Sequence, residues 1–277
     1  MLDQSLAIAK LQYAGVLGAD TLQRLVPSAF AEHASANRSD KYRMVPTSTV
    51  LESMVKEGFY PVKAFQTNSR LEERRVTTKH VIRLRHKSVM EKDLAGETPE
   101  LVLVNSHDGS CAYQLMAGIF RVVCSNGLIV SAADFGTVHV RHAGPEKMVG
   151  KILDASFRII EDSPRVMERV EAFKALRLNR TQQVAFAHEA CSLRKTTLTL
   201  DAGQLLRPRR KEDAEDADGS RSLWATFNVI QERLINASRM VGVDARGAVR
   251  SLRPLNNIQE DLSINKGLWE QAERFAA

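Results

Sequence analysis

The apolar positions of this chain change period part-way along it. Tyr60 to Thr67 and Thr78 to Lys87 read as strands, and in the second the side chains fall with period two on two unlike faces. Leu101 to Val130 reads LVLVNSHDGSCAYQLMAGIFRVVCSNGLIV, apolar runs rich in β-branched residues and punctuated by Asp108-Gly109 and Asn126-Gly127. Gly, and less readily Asn or Asp, tolerates the positive φ of a tight turn, so this stretch predicts a meander of antiparallel strands. Gly136 to His142 alternates as a last strand. Past Pro145 the spacing turns helical. Glu146 to Phe157 predicts a short amphipathic helix, Pro164 opens a second through Val166, Val170, Phe173 and Leu176, and Thr181 caps a third reaching Cys191. Further helices are predicted from Ser222 through Leu234 and from Leu255 to Phe275.

Ahead of the strands, Thr47 is placed to cap a helix whose apolar face is Val50, Leu51, Met54 and Val55, with Gly58 at its stop. Strands first and helices second give an α+β fold, an antiparallel β-meander sheet packed against C-terminal helices. The expected organisation is an N-terminal helical and loop segment over 1–40, then a single α+β domain over 41–277. Within that domain Arg207-Pro208-Arg209-Arg210-Lys211 runs into the acidic Glu212 to Asp218 with no apolar periodicity. The segment 207–220 is therefore expected to be a flexible charged loop.

Composition narrows the partners. The 277 residues are 44% hydrophobic and 26% charged, ordinary for a globular protein with a real core. A net charge of +6 and a pI near 9.3 favour an acidic partner, nucleic acid above all. The excess lies in Arg, which suits bidentate phosphate contacts, although a GC-rich coding bias enriches Arg equally well. Cys111, Cys124 and Cys191 have no metal-type spacing and fit a reducing compartment. The start lacks a basic n-region and no apolar run approaches the roughly 20 residues of a membrane span, so a cytoplasmic protein without membrane contact is expected.

Two groups of residues carry candidate chemistry. In Thr78 to Lys87, alternation places Lys79, Arg83, Arg85 and Lys87 on one face with Val81, and His80, Ile82, Leu84 and His86 on the other. Such a row of cations attracts a phosphate backbone, because each contact releases counterions. Arg141, closing the last strand, extends the candidate nucleic-acid face. The bland alternative is a solvated sheet face paired with acids such as Glu72 and Glu73. The second group is His107-Asp108, a candidate general base or metal ligand, with His139 and His142 as metal-ligand candidates from the last strand. Against catalysis, no HExxH, paired CxxC or GxSxG is present, strand neighbours face opposite ways, and Asp108-Gly109 is ordinary hairpin chemistry. No cofactor is expected, and a divalent metal is the option the histidines leave open. The Arg207 to Lys211 run is read as screened by its own acidic neighbours.

The run NSHDGSCAYQLMAGIFRVVCSNGLIV, the upstream Lys79-His80-Val81-Ile82-Arg83-Leu84-Arg85 and the closing Ile264-Asn265-Lys266-Gly267-Leu268-Trp269 resemble the domain of unknown function 932 family, the phage/plasmid-like proteins. The resemblance spans about Tyr42 to Trp269 and departs at Arg207 to Ser220, which looks like a local insertion. It implies a mobile-element context and no settled activity. With the basic face, it points to a non-enzymatic nucleic-acid-binding accessory protein of a plasmid or phage, acting on single-stranded DNA in replication, transfer or recombination. One alternative is a metal-dependent hydrolase or nuclease centred on His107 and Asp108. Another is a protein-interaction module that antagonises a host defence factor. Edge strands of an open sheet also invite self-association.

Overall fold

A computed structural model of the chain describes residues 2–35, 44–67, 69, 71–91, 97–121, 127–130, 138–140, 145–237 and 239–277. Its contacts divide into two compact units, Met1–Ser163 and Pro164–Ala277. That replaces the expected boundary at residue 40 and the single domain after it.

In the first unit, α1 (Leu2–Gln12), α2 (Ala19–Leu25), a 3-10 turn at Pro27–Phe30 and α3 (Thr47–Lys56) precede the strands. The strands are β1 (Phe59–Gln66), β2 (His80–His86), β3 (Glu97–Asn105), β4 (Tyr113–Arg121), β5 (Gly127–Val130) and β6 (Val138–Val140). Two single-turn helices, α4 (Glu72–Arg75) and α5 (Lys87–Met90), flank β2. The sheet order is β1-β2-β3-β4-β5, with β6 pairing β4, and every pairing is antiparallel. This is the meander that the alternation predicted. Gly58 after α3 and Gly109 in the β3–β4 loop take φ of +92° and +74°, where a Cβ would clash with the backbone.

The N-terminal segment is no appendage. Leu2, Leu6, Leu22 and Val26 join Leu51, Met54 and Phe59 in one core with Ile82, Leu84, Leu101, Leu103 and Leu115 of the sheet. Met148, Ile152, Ala155 and Ile159 of α6 (Pro145–Ala175) enter the same core. Two helices were expected where α6 runs on through Pro164. A proline lacks the N–H that would bond the carbonyl four residues back, and here the Ser163 hydroxyl donates to that Ile160 carbonyl at 2.7 Å.

The second unit holds the rest of α6, then β7 (Arg177–Leu178), α7 (Arg180–Cys191), β8 (Thr199–Leu200), α8 (Ala202–Leu205), β9 (Arg221–Ser222), α9 (Leu223–Asn236), β10 (Val241–Val243), β11 (Val249–Ser251) and α10 (Ile258–Ala276). Its strands form two small antiparallel sheets, β7-β9 and β8-β10-β11. Asn179 caps α7, not Thr181: the Asn179 side chain accepts from the Gln182 amide, and the Gln182 side chain accepts from the Asn179 amide. Ser222 caps α9 where the sequence placed a start. No helix among the described residues is long and apolar enough to cross a membrane.

Candidate functional site

His107 faces the interior. Its ring lies 5.4 Å from that of His80, centroid to centroid, and both residues are sealed from solvent. Alternation places His80 inward with Ile82 and Leu84, while His107 follows the end of β3. The hub between them is Thr47. Its hydroxyl lies 2.9 Å from His80 Nε2, 3.3 Å from His107 Nε2 and 3.1 Å from the Tyr113 hydroxyl, and accepts from Asn105 Nδ2 at 3.0 Å. Thr47 was expected to cap α3, but Pro46 is the cap residue and Thr47 opens the helix with its hydroxyl turned into this knot.

The protons can be assigned from the acceptors. His80 Nδ1 lies 3.1 Å from the Thr78 carbonyl, which only accepts, so Nδ1 carries the hydrogen. Burial lowers the His80 pKa to about 4, outweighing the Thr78 carbonyl and Asp108, so the ring is neutral at pH 7 and Nε2 is bare. Thr47 therefore donates to Nε2, and His107 Nε2 donates to Thr47. Tyr113 donates to the Val45 carbonyl at 2.8 Å. On the far side, Ser28 Oγ lies 2.9 Å from His80 Nδ1 and donates to Gln66 Oε1, whose amide nitrogen donates to the Arg75 carbonyl. The network ties the Pro27–Phe30 turn, α3 and four strands together. Ser28, Thr47, His80, Asn105, His107 and Tyr113 are all at 0% exposure, so it is a structural lock with no access for substrate.

The Asp108 carboxylate accepts from the Ser110 amide at 2.9 Å within its own loop, while Ser106 Oγ accepts from the Cys111 amide. Hydrogen bonds from Ser110 and Ser106 hold Asp108 below the usual carboxylate range despite burial. Of the metal candidates, the side chain of His139 and the whole of His142 lie outside the described residues. Among the described residues no group of three or more His, Cys, Asp or Glu converges as a metal site.

The cationic strand face is also not what alternation suggested. Arg83 and Arg85 do share a face, but Arg83 Nε donates to Glu100 Oε2 at 2.6 Å and Arg85 Nη2 to Glu100 Oε1 at 2.7 Å. Neighbouring Val81, Val102, Val104 and Met116 are buried, so this face is neither a solvated surface nor an open row of charge. Lys63, paired with Arg83 across β1 and β2, has its pKa lowered by burial and by Arg83. Lys79 precedes β2 and is half-buried; Lys87 begins α5 and lays its methylenes over Gly58. Arg141 lies outside the described residues.

An arginine cluster assembles instead in the second unit. The loop 207–220, expected to be flexible and self-neutralising, is fastened, and two of its acids pair outside it. Glu215 pairs with Arg180, and Asp216 with Arg177. The Asp216 amide donates to the Ser220 carbonyl at 2.8 Å, and Gln183 Nε2 to the Gly219 carbonyl at 2.9 Å. The basic half turns towards α9. Arg209 Nη1 donates to Glu232 Oε1 at 3.0 Å, Arg210 lies 3.6 Å from the same oxygen, and Arg233 Nε donates to the Arg207 carbonyl at 2.8 Å. Burial and the like charge of Arg209, with smaller pushes from Arg207 and Arg239, lower the Arg233 pKa against the pull of Glu232. Arg207, Arg209 and Arg239 are exposed. Sequence reading missed Arg233 and Arg239 because only the end of α9 brings Arg233 beside residues some two dozen positions earlier, with Arg239 just past the helix.

The closing motif Ile264 to Trp269 is structural. Asn265, on α10, accepts from Gln231 of α9 at 2.5 Å and donates to the Asp261 carboxylate at 2.7 Å. A Cβ on Gly267 would come within 2.5 Å of Leu193 Cδ2, and Trp269 lies 5.1 Å from Phe173 between ring centroids. The family model described as "Domain of unknown function (DUF932)" matches residues 34–269, from ahead of α3, through the strand meander, to this motif. The chain belongs to that family. It is also 37% identical over 257 residues to two Escherichia coli (strain K12) proteins, "UPF0380 protein YfjQ" and "UPF0380 protein YafZ". Each alignment covers 92% of this chain and 89% of theirs. No solved structure matches. The family model spans the arginine cluster as well as the histidine knot.

Acid acts on the two units in opposite senses. His80 in the first unit binds its proton only near pH 4 when folded but near 6.5 when unfolded. Its contribution is intact above 6.5 and is lost as the pH falls to 4, by about 3 kcal/mol. Asp261 in the second unit is raised to about 6 by burial, against the Asn265 hydrogen bond, from 3.8. Its ionised form is strained above pH 6, and protonation restores about 3 kcal/mol as the pH falls towards 4. Amide exchange corrected for intrinsic rate, compared at pH 7 and 4.5, should show protection falling around β2 and α3 and rising in α9 and α10. A common decline in both units would refute the assignment.

Proposed function

We propose that this family member is a nucleic-acid-binding accessory protein, of the plasmid or phage context that the sequence resemblance implies, whose phosphate contacts come from Arg207, Arg209, Arg210, Arg233 and Arg239. The observation that carries this reading is the gathering of arginines at the end of α9: Arg209 and Arg210 meet Glu232, and Arg207, Arg209 and Arg239 press their like charge on Arg233. Two acids of the 207–220 loop, Glu215 and Asp216, pair elsewhere, with Arg180 and Arg177. Like-charged guanidiniums held together raise one another's energy, and an external polyanion relieves that cost while releasing counterions. Contacts to phosphate carry no sequence information, so the reading is of general affinity for DNA strands during replication, transfer or recombination.

The test is a titration of fluorescent single-stranded and duplex DNA at several salt concentrations. Affinity should fall steeply with salt, and Arg207→Gln with Arg209→Gln should weaken binding by about tenfold or more and lower the duplex salt slope by roughly 0.9 per residue. Salt-insensitive binding, or a double variant with unchanged slope, would overturn the assignment.

A further inference from the structure

Beside the arginine cluster the second unit holds a cavity of about 390 Å³ whose lining includes Arg180, Arg207, Arg221, Asp201, Glu215 and Leu206. Arg221 is the unusual member. It is 2% exposed, yet its Nη1 and Nη2 donate only to the Leu206 carbonyl, both at 3.3 Å, and its Nε is buried with no hydrogen-bond partner. Its carboxylate neighbour, Glu215 Oε1, stands 3.7 Å away, beyond hydrogen-bond reach, and is bonded instead to Arg180. A guanidinium is rarely enclosed without a close anion, because desolvation disfavours its charge. Burial does lower the Arg221 pKa, the nearby charge of Arg180 adds to that, and Glu215 and, more weakly, Asp213 work against it.

We propose that this cavity is a binding site for the phosphate or diphosphate group of a small ligand, held between Arg180, Arg221 and Arg207, with Glu215 as the internal anion that the ligand displaces. The geometry gives Glu215 that role: a single carboxylate oxygen lies between two guanidiniums and satisfies only one of them. A diphosphate brings more charge and more acceptor oxygens than one carboxylate, and arginine forks match them in pairs. The volume suits a nucleotide-sized molecule. The cavity mouth is shared with the DNA-facing cluster only through Arg207, so the proposal stands whether or not the chain binds nucleic acid.

The experiment is calorimetric titration of the whole chain with inorganic pyrophosphate, and with inorganic phosphate as the smaller probe. Pyrophosphate should bind more tightly than phosphate. Glu215→Gln should tighten pyrophosphate binding by about threefold to tenfold, since it removes the competing charge while keeping the side-chain shape, and Arg180→Gln should weaken it by about tenfold. Arg180 is half-exposed, so its variant folds independently of the fate of Glu215→Gln. Absence of heat with pyrophosphate, equal or weaker binding by Glu215→Gln, or unchanged binding by Arg180→Gln would each overturn the proposal.

Discussion

Replacing Thr47 with Val should cost the first unit about 3–6 kcal/mol, much of the stability of a typical domain. Val has nearly the shape of Thr, so the volume is kept and the hydroxyl alone is lost. That hydroxyl answers His80 Nε2, Asn105 Nδ2 and His107 Nε2, all fully buried. Each polar atom left in the dark without a partner carries a desolvation penalty of about 1–3 kcal/mol. Asn105 Oδ1 is already without a partner there, so no spare donor can turn to cover the loss. Thr47→Ser keeps the hydroxyl and removes only a methyl, and should cost about 1 kcal/mol. Urea unfolding read by amide exchange in β2, β3 and α3 measures both. A Val variant within 1 kcal/mol of the Ser variant would mean that the knot contributes little.

Local pattern made much of this fold legible, and distant pairing made the rest opaque. Alternation put His80 inward with Ile82 and Leu84, and turn chemistry placed Gly58 and Gly109 correctly, because each depends on a few adjacent residues. What His80 meets there was not legible. Its partners Ser28 and Thr47 lie 52 and 33 positions away. Thr47 itself shows how local rules lose. A threonine ahead of an apolar helical face reads as a cap, but four buried polar side chains compete for the same hydroxyl and win. The loop 207–220 misled for a related reason. Opposite charges adjacent in sequence look mutually screened, whereas Glu215 and Asp216 reach Arg180 and Arg177 on the elements before it. The family resemblance was carried by residues that turn out to position the core: Ser106 and Asp108 in the loop, Asn265 and Gly267 between helices.

The second large effect belongs to Glu100, and it bears on which of two basic surfaces is the candidate for holding phosphate. Glu100→Gln should destabilise the first unit by about 3–5 kcal/mol, because it removes the counter-charge of two guanidiniums that are themselves largely enclosed. The Arg83 and Arg85 side chains are 11% and 25% exposed and converge on a carboxylate at 0%, so water replaces little of what the carboxylate supplied. Lys63, already pressed by Arg83, would lose a neighbour that favours its charge. Removing the charges together is a different matter. A buried ion cluster replaced by apolar side chains of similar volume is often neutral or better, so Arg83→Met with Arg85→Met and Glu100→Leu should recover to within about 1 kcal/mol of the parent. Chemical denaturation of the single and triple variants measures the difference. The triple variant also decides between two basic surfaces. If phosphate is held by the second unit's arginines, DNA affinity should survive the loss of Arg83 and Arg85; a fall of tenfold or more would return the contact to the strand face that the alternation first suggested.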